Sequence, residues 1–271
     1  MCEYCVQHGH GKKWYLNARN YSKDLAHSEK VNQFCESFFG REITPGAKGL
    51  LPSGPITNEE RQKENLRYMQ YLHHQVISTD EALSILKLAS YQTDESERTV
   101  VLLPCICRYS AYGSDPNLSC YGIAFTDEYT QRFPKYCGGA HQYVSAEEAQ
   151  EVLEALIKTG PVVHAISALG VPYLGMLCNC DMPVCRPYLL RKRLEITSPI
   201  YKAHHRAQVD INKCTGCGIC ETKCPFGVPT IDPQNNLAII ESHACFGCGV
   251  CQRFCPENAI TFKPVGESIP F

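Results

Sequence analysis

The stretch from Cys214 to Pro225 reads CTGCGICETKCP, and the stretch from Cys245 to Pro256 reads CFGCGVCQRFCP. In both, four cysteines are separated by two, two and three residues, and a proline follows the fourth. The offset between the two runs is 31 residues throughout. This agreement indicates an internal duplication. Pairs of C-x2-C also bind zinc, but a duplicated x2-x2-x3-Pro run is not a zinc pattern.

Residues 209–263 resemble the bacterial two-cluster ferredoxins, which share this spacing. The resemblance implies a compact, pseudo-twofold ββαβ-like fold, a low reduction potential and one-electron transfer. It also implies that the fourth cysteine of each run binds the cluster of the other run. The implied ligands are Cys214, Cys217, Cys220 and Cys255 for cluster 1, and Cys245, Cys248, Cys251 and Cys224 for cluster 2.

The composition favours metal binding over disulfides. The chain has 18 cysteines in 271 residues, and most are spaced by one to three residues. We find no apolar core of a signal peptide at the N-terminus and no 18-residue apolar run, so we expect a cytoplasmic protein without a membrane span. With 26 basic and 28 acidic residues, the charge gives no global footprint for nucleic acid, and no nucleic-acid partner is expected.

Patterns in the middle of the chain predict an α+β fold. A helix is expected over about 58–76, after a capping box of Thr57 with Glu60. Its apolar stripe would comprise Leu66, Met69, Leu72 and Val76. Ser78 with Glu81 and Ser145 with Glu148 predict the starts of two more helices. VVLLP at 100–104 and PVVHAIS at 161–167 are typical of strands.

Six further cysteines are expected in loops that follow strand-like runs, where a scaffold can position ligands. Packing the strands side by side would bring C-x-C and C-x-C-x4-C to one end of a sheet. Six thiols exceed the needs of one cubane, and Cys2 with Cys5 would raise the number to eight, enough for two. We therefore expect one or two additional [4Fe–4S] clusters on Cys105, Cys107, Cys120, Cys178, Cys180 and Cys185.

The N-terminus carries a second metal-like pattern, which consists of Cys2, Cys5, His8 and His10. Two Cys and two His can form a zinc site, or the cysteines can share a cluster with the middle loops. Both interpretations stay open, as does the alternative that the segment binds no metal. Cys35 is expected to be a buried apolar residue, and Cys137 is ambiguous. We leave His141 and His164 unassigned, because a lone His on a strand is more often a hydrogen-bonded core residue than a ligand.

Two basic features have alternative interpretations. Arg108 follows the C-x-C and could donate to a cluster sulfur or form a surface salt bridge. The segment 186–206 holds mostly basic charges and suits either a solvated linker or a docking surface for an acidic redox partner. The predicted domains are a Cys/His-rich N-terminal segment at 1–55, an α+β domain with an additional metal or cluster site at 56–190, a basic linker at 191–208 and a two-cluster ferredoxin domain at 209–271.

The whole chain resembles multi-domain 4Fe–4S dicluster proteins of anaerobes through CEYCVQHG, KKWYLNARNYS, PCICR, CYG and CNCD. That resemblance implies electron transfer within or toward a redox enzyme complex and no defined substrate. An alternative function is a catalytic iron–sulfur subunit that binds substrate at an open iron of a middle-domain cluster. We find no G-x-G-x-x-G unit, P-loop or C-x3-C-x2-C motif, so a non-catalytic subunit of an oxidoreductase is favoured.

Overall fold

The computed structural model describes residues 13–21, 25, 28–37, 51, 54–90, 100–113, 115, 118–123, 141–169 and 171–265. The predicted N-terminal ligands Cys2, Cys5, His8 and His10 lie outside the described residues, as does Cys137. In the ranges given above, every helix is too short or too polar to cross a membrane.

A seven-stranded sheet organises the upstream part of the chain. Its strands are β1 (His73–Ile77), β2 (Val100–Leu103), β3 (Cys120–Ile123), β4 (Gln142–Val144), β5 (Val163–Ala168), β6 (Leu174–Cys180) and β7 (Ile200–Tyr201). They lie in the order β4-β2-β3-β6-β5-β1-β7. Neighbours are antiparallel except β1 and β7, which are parallel.

Helices surround this sheet, which confirms the α+β class. They are α1 (Glu29–Ser37), α2 (Asn58–Tyr71), α3 (Thr79–Ser90), α4 (Ile106–Tyr112), α5 (Ala146–Thr159) and α6 (Arg186–Leu194), and two 3-10 turns span Trp14–Leu16 and Ala18–Tyr21. The capping boxes predicted at Thr57 and Ser145 both form. Each satisfies backbone N–H groups that have no partner within the helix.

The helix predicted over 58–76 is too long. The structure ends it at Tyr71, and residues 73–77 form β1, which pairs with β5. Half of the expected apolar stripe is also wrong: Leu66 is 59% exposed and Met69 is 42% exposed, whereas Leu72 and Val76 are buried. Tyr68 of α2 is also buried, in a small cluster with residues of and after α6. The actual buried face could not be read from the apolar spacing alone.

The two faces of the sheet carry different cores. Because side chains alternate along a strand, Val100 and Leu102 face one side, and Val101 and Leu103 face the other. The first side packs against buried residues of α3, α5 and the 3-10 turns. The second side carries buried cysteines and is continuous with the ferredoxin residues Phe246, Cys248 and Val250. This second face positions the candidate site.

The C-terminal part consists of two similar halves. Its elements are β8 (His205–Val209), α7 (Ile219–Lys223), β9 (Thr230–Ile231), β10 (Ala238–Ile239), α8 (Val250–Arg253) and β11 (Ile260–Pro264). The outer strands β8 and β11 pair, as do the inner strands β9 and β10. Each half is therefore strand, helix, strand, one strand fewer than the ββαβ-like unit that the resemblance implied.

The basic stretch interpreted as a linker is structured. It contains α6, β7 and the start of β8. Arg206 is only 4% exposed and donates to the carbonyl oxygens of Ala203 and His205. Arg191 donates to the carbonyl oxygens of Thr197 and Ile200. The same segment also contains five large apolar residues that are buried, and the basic composition did not reveal them. They are Tyr188, Leu190, Leu194, Ile196 and Ile200. The domain boundaries stay a prediction.

Candidate metal centres

The first ferredoxin cavity is lined by thiols from both halves of the module. Three belong to the first run and the fourth to the second: Cys214, Cys217, Cys220 and Cys255. Cys220 is buried, and burial raises the pKa of its thiol. Cys217 is exposed to solvent. The structure thus brings together the four residues that the resemblance groups as cluster 1.

The second ferredoxin cavity has the reciprocal composition. It is lined by Cys224, Cys245, Cys248 and Cys251. The last three are buried, and burial raises the pKa of Cys248 to about 12. Phe226 and Phe246 line the same cavity, and their rings stack with centroids 4.1 Å apart. The second cavity is therefore the more enclosed of the two.

Backbone geometry around both cavities suits a thiolate-bound group. Gly216 and Gly247 have φ angles of +67° and +73°. An added Cβ would lie 2.0 Å from the carbonyl oxygen of Asn236 and 2.2 Å from that of His205, respectively. Backbone N–H groups donate to the sulfurs of Cys214, Cys245 and Cys255 over 3.3–3.4 Å. These donors stabilise negative charge on sulfur, as an iron–sulfur cluster requires.

The six middle cysteines form a ring on the second face of the sheet. Each thiol interacts with its two neighbours in the closed order Cys105, Cys107, Cys185, Cys180, Cys178 and Cys120, and back to Cys105. All six line one cavity of about 70 Å³. Five are buried, and Cys107 is half-buried. Eight thiols thus line the two ferredoxin cavities, and six line this third one.

The sheet explains how the ring assembles. β3 lies between β2 and β6 and is antiparallel to both, so the ends of β2 and β6 and the start of β3 meet at one edge. Cys120 is paired with Cys178 in register. Cys178 and Cys180 lie on the same face because side chains alternate along a strand. The expectation that the cysteine-rich stretches lie in loops is wrong for Cys120, Cys178 and Cys180, which belong to β3 and β6, and for Cys107, which belongs to α4.

The ring thiols differ in acidity in an alternating order. Hydrogen bonds from two ring neighbours hold the pKa values of Cys105, Cys178 and Cys185 well below the ordinary thiol value. Donation to two neighbours, together with burial, raises the pKa values of the three intervening thiols, Cys107, Cys120 and Cys180. Each of the three more acidic thiols therefore lies between two less acidic neighbours around the ring.

Polar residues at the ring hold its backbone in place. Asp115, 5% exposed, accepts the N–H of Cys105 and forms an ion pair of 3.4 Å with Arg108. Arg108 also donates to the side chain of Ser119 and the carbonyl oxygen of Asn179. Arg108 is thus part of an interior ion pair, rather than the surface salt bridge that the sequence suggested as one alternative.

His74 is a site residue that the sequence did not single out. Its ring contacts Cys178, and its Nδ1 lies 3.1 Å from the carbonyl oxygen of Pro199. Burial disfavours the charged imidazole, but the hydrogen bond to Cys178 and the charges of Cys178 and Cys185 raise the pKa of His74 overall. No local pattern marks this residue, since its role depends on β1 lying beside β5.

Tyr188 on α6 lies between the ring and the second ferredoxin cavity. Burial raises the pKa of Tyr188, and the nearby thiols of Cys224 and Cys185 raise it further. The phenol side chain of Tyr188 packs edge-to-face against Phe226 and Phe246, with 5.1 and 5.8 Å between the ring centroids. The ring thiols, Tyr188 and Cys248 belong to one hydrophobic core. Aromatic contacts therefore connect Tyr188 to the second ferredoxin cavity, within the core that also holds the ring thiols.

Polar contacts join helix α8 of the ferredoxin module to the upstream part of the chain. Arg253 on α8 donates to Thr79 Oγ1 and to the carbonyl oxygen of Val162, both over 2.8 Å. His164 is fully buried, and its Nδ1 lies 2.7 Å from Oδ1 of Asn179. It is a hydrogen-bonded core residue, as residues of this kind usually are. Asn179 stands between Cys178 and Cys180 in β6.

Cys35 is fully buried in α1 as expected. Within the described ranges, no three side chains of His, Cys, Asp or Glu are arranged to bind a single metal ion. The thiols instead surround the three cavities described above.

Residues 213–260 match the family model of the 4Fe-4S dicluster domain. The match covers both cysteine runs and confirms a ferredoxin-like iron–sulfur domain in the C-terminal part, which supports an electron-transfer role. The chain has no match among curated proteins. The resemblance of the whole chain to multi-domain proteins of anaerobes stays a prediction.

Proposed function

With a 4Fe-4S dicluster domain at residues 213–260 as the premise, we propose that this protein transfers single electrons through three [4Fe–4S] clusters. Two would be held by the ferredoxin thiols and the third by thiols of the six-membered ring. Each bound cluster supplies one-electron redox chemistry. The single observation that carries the proposal is Tyr188, which packs against Phe226 and Phe246 of the second ferredoxin cavity and belongs to the same core as the ring thiols.

The ligand assignment in the ferredoxin module follows the two cavities. Cys255 lines the cavity of the first run, and Cys224 lines that of the second. This exchange supports ligation of each cluster by three cysteines of one run and the fourth of the other. Closely packed glycines and N–H donors next to the sulfurs favour a compact, negatively charged group.

The third site is supported by its donor chemistry. Six thiols in one apolar cavity include more than the four that a cubane needs. Asp115 and Arg108 fix the backbone of Cys105, and the sheet register fixes Cys120 against Cys178. Ligands held by rigid elements keep their geometry when the metal changes oxidation state.

The exposed end of the ferredoxin module suits a redox partner. Cys217 is exposed, and Ile211 beside that run is 65% exposed. The second cavity, by contrast, is enclosed by Phe226 and Phe246 and adjoins the sheet. We propose that a subunit of an oxidoreductase exchanges electrons at the first cavity, and that the ring lies at the far end of the path.

Metal analysis of anaerobically purified protein tests this function. We expect about twelve iron atoms per chain, and about eight in Cys178→Ser, with the two ferredoxin signals retained in EPR of the dithionite-reduced protein. Cys35→Ala, a buried cysteine outside the ring, should keep about twelve. A wild-type content of about eight, unchanged in Cys178→Ser, would refute the third cluster.

A further inference from the structure

The six-thiol ring contains two more thiols than a cubane binds. Burial and position in the fold indicate which two are the additional ones. Cys107 is the single ring thiol that is not buried. It belongs to α4, and its ring neighbour Cys185 immediately precedes α6. The other four thiols, Cys105, Cys120, Cys178 and Cys180, are consecutive in the ring and lie on or next to the strands of one sheet edge.

We propose that Cys107 and Cys185 form a redox-active dithiol beside a cluster held by those four thiols, and that this pair reduces a disulfide substrate. The proposal rests on the function above, which supplies the electrons. It assigns to the ring a two-electron reaction, whereas electron transfer through the ferredoxin module proceeds one electron at a time.

The geometry favours this pair over the alternative of Cys107 with Cys105. Cys105 and Cys107 belong to one helical turn, and the N–H of Cys105 is fixed by Asp115. Cys107 instead reaches across to α6, where its sulfur accepts the N–H of Arg186 over 3.3 Å. Arg186 directly follows Cys185. A bond between Cys107 and Cys185 would thus join two elements already in contact, without closing a strained ring within one turn.

The surroundings suit a disulfide carrying an acceptor group. Arg186 lines the cavity, and within the described part of the chain its buried Nε has no hydrogen-bond partner. A buried donor without an acceptor is costly, so a carboxylate or carbonyl oxygen of a bound substrate would stabilise it. Ile106, Pro187 and Leu190 provide the apolar part of the wall.

The reaction balances in three steps. Two electrons, delivered singly, and two protons convert the Cys107–Cys185 disulfide into two thiols. The Cys107 thiol then loses its proton and attacks the substrate disulfide; a mixed disulfide forms, and the first substrate sulfur takes up a proton and leaves as a thiol. Cys185 attacks the sulfur of Cys107, which releases the second substrate thiol and restores the internal disulfide. In sum, one disulfide, two electrons and two protons give two thiols.

Trapping distinguishes Cys107 from every other thiol. Under the proposal, Cys185→Ser exposed to oxidised glutathione retains glutathione on Cys107, because no second thiol releases it. Peptide mass spectrometry should find this adduct in Cys185→Ser, a Cys107–Cys185 disulfide in oxidised wild-type protein, and neither in Cys107→Ser. An adduct on another cysteine, or none, would overturn the proposal.

Iron content separates failure of this inference from failure of the proposed function. Cys107→Ser and Cys185→Ser should keep about twelve iron atoms, whereas Cys120→Ser and Cys178→Ser should fall to about eight. Loss of about four iron atoms from Cys107→Ser would make Cys107 a ligand, which refutes the dithiol but keeps the third cluster. A wild-type content of about eight would refute the third cluster itself.

Discussion

Nη1 of Arg253 lies 3.4 Å from Nε2 of His164, which joins helix α8 of the ferredoxin module to the centre of the large sheet. The same guanidinium donates to Thr79 and Val162. These three contacts fasten the second ferredoxin cavity to the sheet that carries the thiol ring.

Removing this guanidinium should loosen the attachment. Arg253→Ala leaves the carbonyl oxygen of Val162 without its charged donor, and we expect a loss of about 3 kcal/mol. The thermal midpoint should fall, and the amides of β5 should exchange faster with deuterium. Arg193→Ala, which removes an exposed arginine of α6, is the matched control. Equal midpoints for the two variants would show that the contact does not stabilise the protein.

The pKa of His164 predicts a loss of stability in mild acid. Burial lowers this pKa from 6.5 to about 4, and the hydrogen bond with Asn179 only partly opposes the shift. The unfolded chain therefore binds a proton as the pH falls below about 6.5, while the folded protein does not until about pH 4. The contribution of His164 is complete above that range and decreases by about 1.4 kcal/mol between pH 8 and pH 5.5.

His164→Gln should remove this part of the pH dependence. The check compares the thermal midpoints of wild type and variant at pH 8 and pH 5.5. Arg253, the charged group facing the imidazole, stays protonated throughout and does not add a titration of its own. If both proteins lose the same stability on acidification, another group is responsible.

Two glycines in one loop provide a matched test of the first cavity. Gly216 and Gly218 both have left-handed backbones, with φ of +67° and +75°. An added Cβ at Gly218 meets nothing within 4 Å, whereas at Gly216 it would lie 2.0 Å from the carbonyl oxygen of Asn236. Gly218→Ala should cost about 1–2 kcal/mol, from the conformation alone.

Gly216→Ala should cost about 2 kcal/mol more, because the backbone must also move. It should therefore lose iron faster than Gly218→Ala when both are challenged with a chelator. Equal rates of iron loss in the two variants would mean that the close approach of Gly216 to Asn236 does not affect iron retention.

Asp115 should be essential for the ring and dispensable for the ferredoxin module. Asp115→Ala removes the carboxylate that pairs with Arg108 and leaves the N–H of Cys105 without its acceptor, and we expect a loss of about 3 kcal/mol. The iron content should fall toward that of Cys178→Ser, while the ferredoxin EPR signals persist. Glu154→Ala, on the exposed face of α5, should keep all the iron. Full iron content in Asp115→Ala would contradict the positioning role.

The cysteine spacing in the ferredoxin module was informative because ligand reach is a local property of the chain. Three thiols within seven residues can surround one cavity, and they do so around both cavities. The arrangement of the six middle cysteines was harder to predict from the sequence. Their meeting at one sheet edge followed from the strand-like runs, but the placement of Cys120 and Cys178 within strands depended on pairing that no local pattern specifies.

Tyr188 and the basic segment show why the remainder escaped prediction. Charge dominates residues 186–206, yet the buried Tyr188, Leu190 and Leu194 decide their structure. Tyr188 acquires its importance from contacts with Phe226 and Phe246, which are about 40 to 60 residues away in sequence. Likewise, Val76 fits the helical spacing of apolar residues that precede it, but in the structure it belongs to β1, which pairs with β5.

The unequal enclosure of the two ferredoxin cavities has an energetic meaning. The duplicated runs have the same ligand spacing, but Cys217 is in water and Cys248 is 6% exposed among aromatic side chains. Solvent exposure and hydrogen bonding tune the potential of a cluster, so matching ligand sets would acquire unequal affinities for an electron. The two duplicated sites would then differ in reduction potential, and electron transfer between them would be favoured from the cluster of lower potential to the cluster of higher potential.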